Sequence, residues 1–207
     1  MPKLLHIECS PRKVKSHSIN IANEFLSAYR LKNPNAEIET LNVWYADLPD
    51  FNGEILEAKY AVINSDTATQ EQADAWSKIQ VLFDHFNQFD TYVFSVPMWN
   101  FSIPYRLKQY IDVITQPGMA WSYSPEESYQ GLLKNKKAVV VYSSGDGYAE
   151  GTGFEAYDLQ KPYVNLWLNF IGISEINTIN VEATLFPDRS TEDQAKRDAI
   201  KLGVDFS

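Results

Sequence analysis

Ser10, Ser16 and Ser18 bring three hydroxyls into the stretch Ser10-Pro-Arg-Lys-Val-Lys-Ser-His-Ser, with Arg12, Lys13, Lys15 and His17 among them. Hydroxyls beside the free N–H groups of a helix start are what a phosphate binds. The stretch has neither G-x-G-x-x-G nor G-x-x-x-x-G-K-[ST], so a phosphate monoester is the natural ligand rather than a dinucleotide or a nucleoside triphosphate. The plainer alternative is that Ser16 and Ser18 only cap a helix. A second stretch, Pro97-Met98-Trp99-Asn100-Phe101-Ser102-Ile103-Pro104, is apolar and aromatic with one amide, a lining suited to a flat heteroaromatic ring. Its alternative is a core corner turned by two prolines, although an Asn in that company needs a polar partner. A third, Ser143-Ser144-Gly145-Asp146-Gly147, carries glycines that let backbone N–H groups approach a ligand closely, or else makes an ordinary surface turn.

Each of these stretches follows a segment that reads as a β-strand. Lys3 to Cys9, Thr91 to Val96 and Lys137 to Ser143 are near-continuous apolar runs, the pattern of parallel strands buried on both faces. Pro97 cannot donate to a ladder and closes its strand; Pro104 suits the first residue of the helix whose stripe is Leu107, Tyr110, Ile111 and Ile114. Further strands are expected at Glu37 to Leu41 and Glu175 to Val181. Helices are expected after Ser18, at Ile55 to Ile63, Thr69 to Phe89, Ala156 to Phe170 and Glu192 to Leu202. Trp44, Tyr45, Leu48 and Phe51 fall in an irregular segment, exposed or packed on something outside the sheet. Alternating strands and helices mean an α/β domain with helices on both faces of a parallel sheet. Five strands favour the flavodoxin-like doubly wound order 2-1-3-4-5, with ligand loops at the strands' carboxyl edge.

The composition narrows the function. The chain of 207 residues reads as one domain, 1–207, with no internal repeat or low-complexity linker. A net charge of −9 argues against nucleic acid as a partner. No run approaches the ~20 apolar residues of a membrane span, and no signal-peptide pattern precedes the first strand, so a cytoplasmic address is expected. One cysteine rules out an intramolecular disulfide and multi-cysteine metal sites. His6, His85 and Cys9 form no ligand set, and no nucleophilic triad is evident.

Taken together, one loop for a phosphate, one for a flat ring and one offering amides meet the needs of flavin mononucleotide. The stretch from Pro97 to Pro104, with Ser10, Ser16-His17-Ser18 and Phe170-Ile-Gly-Ile-Ser, resembles the FMN-dependent NADH-azoreductases, also described as NADH:quinone oxidoreductases. The resemblance runs along essentially the whole chain. It implies a homodimer with active sites at the subunit interface. Ser10, Ser16, His17 and Ser18 match the phosphate positions, Pro97, Met98, Trp99, Asn100 and Phe101 the isoalloxazine positions, and Ser143, Ser144, Gly145 and Asp146 those at the pyrimidine side. It also implies NADH or NADPH as donor, quinones or azo compounds as acceptors, and ping-pong hydride transfer through the flavin with no catalytic side chain. Trp99, Trp121 and Trp167 would wall the substrate pocket; for the last two, core or dimer packing is the competing reading.

The chain departs from the family at Trp99, where Tyr is usual, at His17, where Gln is common, and at Ser144 and Asp146, where an Arg and a Gly are frequent. The loss of that Arg makes the rim less positive. A flavodoxin-like electron carrier, for which the acidic charge would provide steering, is the alternative of a different class, and a flavin-free interaction module is a third.

Overall fold

Apolar runs flanked by amphipathic helices can bury themselves only by layering, and the chain does so around one parallel sheet. The computed structural model describes residues 1–64, 69–186 and 190–206. In chain order the elements are β1 (Lys3–Glu8), α1 (His17–Lys32), β2 (Glu37–Asn42), α2 (Gly53–Asn64), α3 (Gln70–Asn87), β3 (Thr91–Pro97), α4 (Tyr105–Ile114), β4 (Trp121–Ser124), β5 (Ser128–Gly131), β6 (Lys137–Ser143), α5 (Gln160–Ile171), β7 (Glu175–Val181) and α6 (Ser190–Asp205). The five-stranded sheet has the order β2-β1-β3-β6-β7, all pairs parallel, which is the expected 2-1-3-4-5.

Two apolar layers sandwich the sheet. On one face α1 and α6 close over Leu4, Val93, Val139, Val141 and Ile179 through Ile21, Phe25 and Ala199, joined by Phe206 just after α6. On the other, α3, α4 and α5 bury Ile79, Phe86, Leu107, Tyr110, Trp167 and Leu168 against Ile7, Tyr92, Phe94 and Val140. Register decides where the ligand loops emerge. Glu8 lies beside Ser95 and Pro97 beside Ser143, so β1, β3 and β6 end side by side at one edge.

The helix starts have local causes. Thr69 Oγ1 accepts from the Gln72 N–H at 3.2 Å while Gln72 Oε1 accepts from the Thr69 N–H at 2.9 Å, a capping box that begins α3. Pro104 is the residue before α4 rather than its first. The helix expected from Ala156 begins instead at Gln160, because Asp158 Oδ1 takes the N–H groups of Gln160 and Lys161, both at 3.0 Å.

One element lies outside the periodicity argument. β4 and β5 pair antiparallel, Trp121 opposite Gly131, as a hairpin too short and too polar to show a strand pattern. It docks where α5 ends: a Cβ on Gly131 would fall 2.3 Å from the Gly172 nitrogen, so the backbones meet only because both residues are glycine.

Candidate functional site

The loop after β1 holds Ser10, Ser16 and Ser18, all buried at 1%, 2% and 0% exposure. Ser16 occupies the N-cap position of α1, yet its side chain makes no capping hydrogen bond; its Oγ lies 3.2 Å from Ser18 Oγ. The capping reading therefore does not describe Ser16. No acidic residue sits in the first turn of α1, whose leading N–H groups have no helical acceptor. Buried hydroxyls beside orphan donors at the positive end of a helix are the donor set a phosphate monoester requires. His17 turns away from this set: its Nδ1 lies 3.3 Å from Glu192 Oε2 on α6.

The loop after β3 is a two-residue turn. Trp99 and Ser102 exchange backbone hydrogen bonds at 2.8 and 3.0 Å, and the residues between them, Asn100 and Phe101, have φ of 46° and 71°. Asn tolerates this left-handed conformation; a bulky Phe does so at a cost of ~1–2 kcal/mol. The strain is held by neighbours. The Phe101 carbonyl accepts from the Leu159 N–H at 2.9 Å, and its half-exposed ring packs on Tyr157 with centroids 5.6 Å apart. The Met98 N–H donates to the Ser143 carbonyl at 2.7 Å, joining this loop to the one after β6.

In that third loop Ser144 is structural on both sides. Its N–H donates to the Val181 carbonyl at 3.0 Å and its Oγ to the Asp146 carbonyl at 2.7 Å. Asp146 Oδ1 accepts from the Gly147 N–H at 2.8 Å. The N–H groups of Gly145 and Asp146 donate to nothing among the described residues and remain available to a ligand. Behind the loop, Lys161 bridges Glu182 at 2.6 Å and Asp158 at 3.0 Å. Burial lowers the Lys161 pKa, but those bonds outweigh it and hold the ammonium above its ordinary value.

The structure thus gathers Ser10, Ser16, Ser18, Pro97–Phe101 and Ser143–Asp146 at one sheet edge. It does not gather the other two tryptophans there. Trp167 is buried, its indole against Phe86 and Phe94 with centroids 6.3 and 5.7 Å away and its Nε1–H donating to Thr115 Oγ1 at 2.9 Å. Thr115 follows the last residue of α4, so this packing lies at the far end of the helix that starts from the aromatic loop. Trp121 packs in the hairpin on Tyr129 and Phe170, 5.6 and 5.8 Å away. Within one chain neither walls the cradle.

Trp44 was not among the sequence candidates, and it belongs to the cradle. It follows β2, so it leaves the sheet at the same edge as the other loops. Its Nε1–H donates to the Cys9 carbonyl at 3.0 Å, and its ring lies 5.3 Å from Trp99 and 5.2 Å from Tyr105. Arg106 fixes the segment by donating from Nε to the Val43 carbonyl at 3.0 Å and from Nη2 to the Ala46 carbonyl at 2.8 Å. The signal was in reach, since the strand-edge rule applies to β2 as well. Cys9, fully buried, has its thiol pKa pushed up by burial and then by Glu8, and is inert. No group of His, Cys, Asp and Glu able to hold a metal occurs among the described residues.

Comparison with known proteins identifies the fold and the family. A family described as having a flavodoxin-like fold matches residues 2–202. An FMN-dependent NADH:quinone oxidoreductase of Desulfotalea psychrophila is 45% identical over all of this chain and 98% of its own length. A second such oxidoreductase, from Pseudomonas fluorescens, is 43% identical over 96% of this chain and 92% of its own. Among solved structures, an azoreductase from Bacillus anthracis superposes with a TM-score of 0.90 at 26% identity, each chain covered completely. The chain belongs to the flavodoxin-like fold family and, within it, to the FMN-dependent NADH:quinone oxidoreductases.

Proposed function

We propose that the protein binds FMN at this edge and uses NADH to reduce quinones and azo compounds by two electrons, in ping-pong order. The observation that carries the reading is the conjunction of three buried serine hydroxyls at the α1 N-terminus with a strained aromatic turn one strand away. FMN, when bound, supplies the centre that accepts and returns hydride. Ser10, Ser16 and Ser18 hold its phosphate with the first N–H groups of α1. Met98 to Phe101 would hold the ring, and the Gly145 and Asp146 N–H groups would donate to its polar edge and favour the negative charge of the reduced form. Asn100 and Phe101 are exposed, so flat partners would reach the ring at this turn. Donor and acceptor would use this same exposed edge in turn, the oxidised donor leaving before the acceptor enters.

The homodimer belongs to the same proposal. The α4–α5 face carries an apolar groove of about 350 Å³ lined by Phe51, Ile111, Tyr163, Leu166 and Phe170, with Leu166 70% exposed. A second copy covering this face would bury these apolar side chains. A cytoplasmic setting, where NADH is supplied, fits the single reduced cysteine, and no described helix is long and apolar enough to cross a membrane.

The test is the visible spectrum of the purified protein under anaerobic conditions. Flavin bands that bleach with NADH and return with benzoquinone are the expected result. Bands that NADH leaves unchanged would move the assignment to an electron carrier, and failure to take up FMN would overturn it.

A further inference from the structure

NADH reaches a flavin with its nicotinamide, but it also carries a diphosphate and an adenine that need a surface to rest on. Their chemistry asks for an unneutralised cation and an exposed aromatic face. The two flanks of the cradle differ sharply in what they offer. Beside the third loop stand Asp146, Glu150, Glu155, Asp158 and Glu182, and the cation there, Lys161, is spent on two of them. Around the second loop, Arg106 is spent on backbone carbonyls and Gln109, and Lys108 on Asp112.

The first-loop flank is the reverse. Arg12, Lys13 and Lys15 are exposed, and no carboxylate pairs with them among the described residues. Glu192, which α6 brings to this loop, is taken by His17 at 3.3 Å and Lys196 at 3.4 Å. Lys13 has φ of 51°, a left-handed conformation fixed by the Ser16 N–H donating to its carbonyl at 2.8 Å. That turn sends Lys13 Nζ over the ring of Tyr45, 4.7 Å from its centroid. Tyr45 is 70% exposed, and its chain neighbour Trp44 packs on Trp99, so the patch continues from the ring platform. In a chain of net charge −9, a cationic and aromatic patch contiguous with the cradle is a local exception.

We propose that Lys13 and Tyr45 form the subsite for the adenosine diphosphate half of the nicotinamide donor, with Lys13 on the diphosphate and Tyr45 stacking on the adenine. This rests on the NADH-oxidoreductase reading above. It assigns the donor's tail to the β1–β2 side of the cradle and leaves the β6–β7 side to other ligands.

The experiment compares NADH with reduced nicotinamide mononucleotide, which lacks the adenosine diphosphate half, in FMN-saturated wild type, Tyr45→Ala and Lys13→Gln. Each substitution should raise the KM for NADH about tenfold, the scale of one lost stacking or charged contact, and leave the KM for the mononucleotide unchanged. Calorimetric titration of ADP into the oxidised, FMN-loaded protein should show binding to wild type that each variant weakens by a similar factor. Equal effects on both donors, no effect on NADH, or ADP binding that neither variant changes would overturn the subsite. So would a Lys13→Gln protein that loses FMN affinity with an unaltered ratio of the two KM values, since Lys13 would then serve the flavin phosphate. Wild-type bleaching by the mononucleotide tests the oxidoreductase reading separately, because that donor does not use the subsite.

Discussion

Trp44 backs Trp99: their indole centroids are 5.3 Å apart, and the Trp44 Nε1–H is anchored on the Cys9 carbonyl at 3.0 Å. One side chain thereby ties the end of β1, where the serine loop begins, to the aromatic turn after β3. Trp44→Phe keeps a ring but leaves the Cys9 carbonyl without that donor. The expected cost is roughly 1–2 kcal/mol of stability in urea unfolding, with FMN binding weakened several-fold. In a Trp99→Ala background the same substitution should no longer change FMN affinity, because Trp44 acts through Trp99. Equal losses of affinity in both backgrounds would show that it acts on the fold alone.

Phe101 stores strain for a position, and its replacement should separate stability from binding. Phe101→Gly relieves a left-handed Phe worth about 1–2 kcal/mol. Against that stand one half-exposed ring contact and the chain entropy of glycine, each about 0.5 kcal/mol. The melting temperature should hold level or rise while FMN affinity and quinone KM worsen. If the melting temperature instead fell by several degrees with binding intact, the turn would be serving the fold and not the ligand.

The three central strands are legible because burial on both faces makes them near-unbroken apolar runs, whereas β2 and β7 at the sheet edges alternate apolar and polar residues. Lys137–Ser143 and Glu175–Val181 stand where they were expected, and β3 runs one residue further, through Pro97. The serine, aromatic and glycine loops followed from the rule that ligand loops share one edge of a parallel sheet. Their roles divided only in three dimensions. Ser144 and His17 bond to their own chain, whereas Ser16 leaves its capping duty undone. Trp167 could not be placed from its helical phase, which gives the buried face of α5 but not which end faces the ligand edge. Trp44 lies in a segment with no periodicity, where its place just after β2 is the one pointer to the ligand edge, and the ring packing on Trp99 then shows its part.

His6 predicts a pH dependence of stability. It lies under α1 with Nε2 2.6 Å from Ser95 Oγ, and burial holds its pKa down to about 4 from an ordinary 6.5. The unfolded chain therefore binds a proton that the folded chain refuses between those values. Stability from keeping His6 neutral is complete above pH 6.5, declines as the pH falls toward 4, and is flat below. The loss is on the order of 3 kcal/mol. Urea unfolding across that window should show the slope in wild type and a shallower one in His6→Gln. Parallel slopes would mean that other groups govern the acid limb.

The serine cradle makes the most direct claim on function, and two ligands differing by one group can test it. Riboflavin carries the flavin ring without the phosphate. Ser16→Ala and Ser18→Ala should each remove a charge-assisted hydrogen bond, weakening FMN binding by roughly 10- to 100-fold. Riboflavin binding should stay as it was, since the ring contacts from Met98 to Phe101 are untouched. Capping makes the opposite forecast: Ser16→Ala would cost α1 about 1 kcal/mol and shift both ligands alike. Because the Ser16 hydroxyl bonds Ser18 and no backbone N–H of the helix, the melting temperature should barely move. A changed ratio of FMN to riboflavin affinity at constant stability would place the phosphate on these hydroxyls.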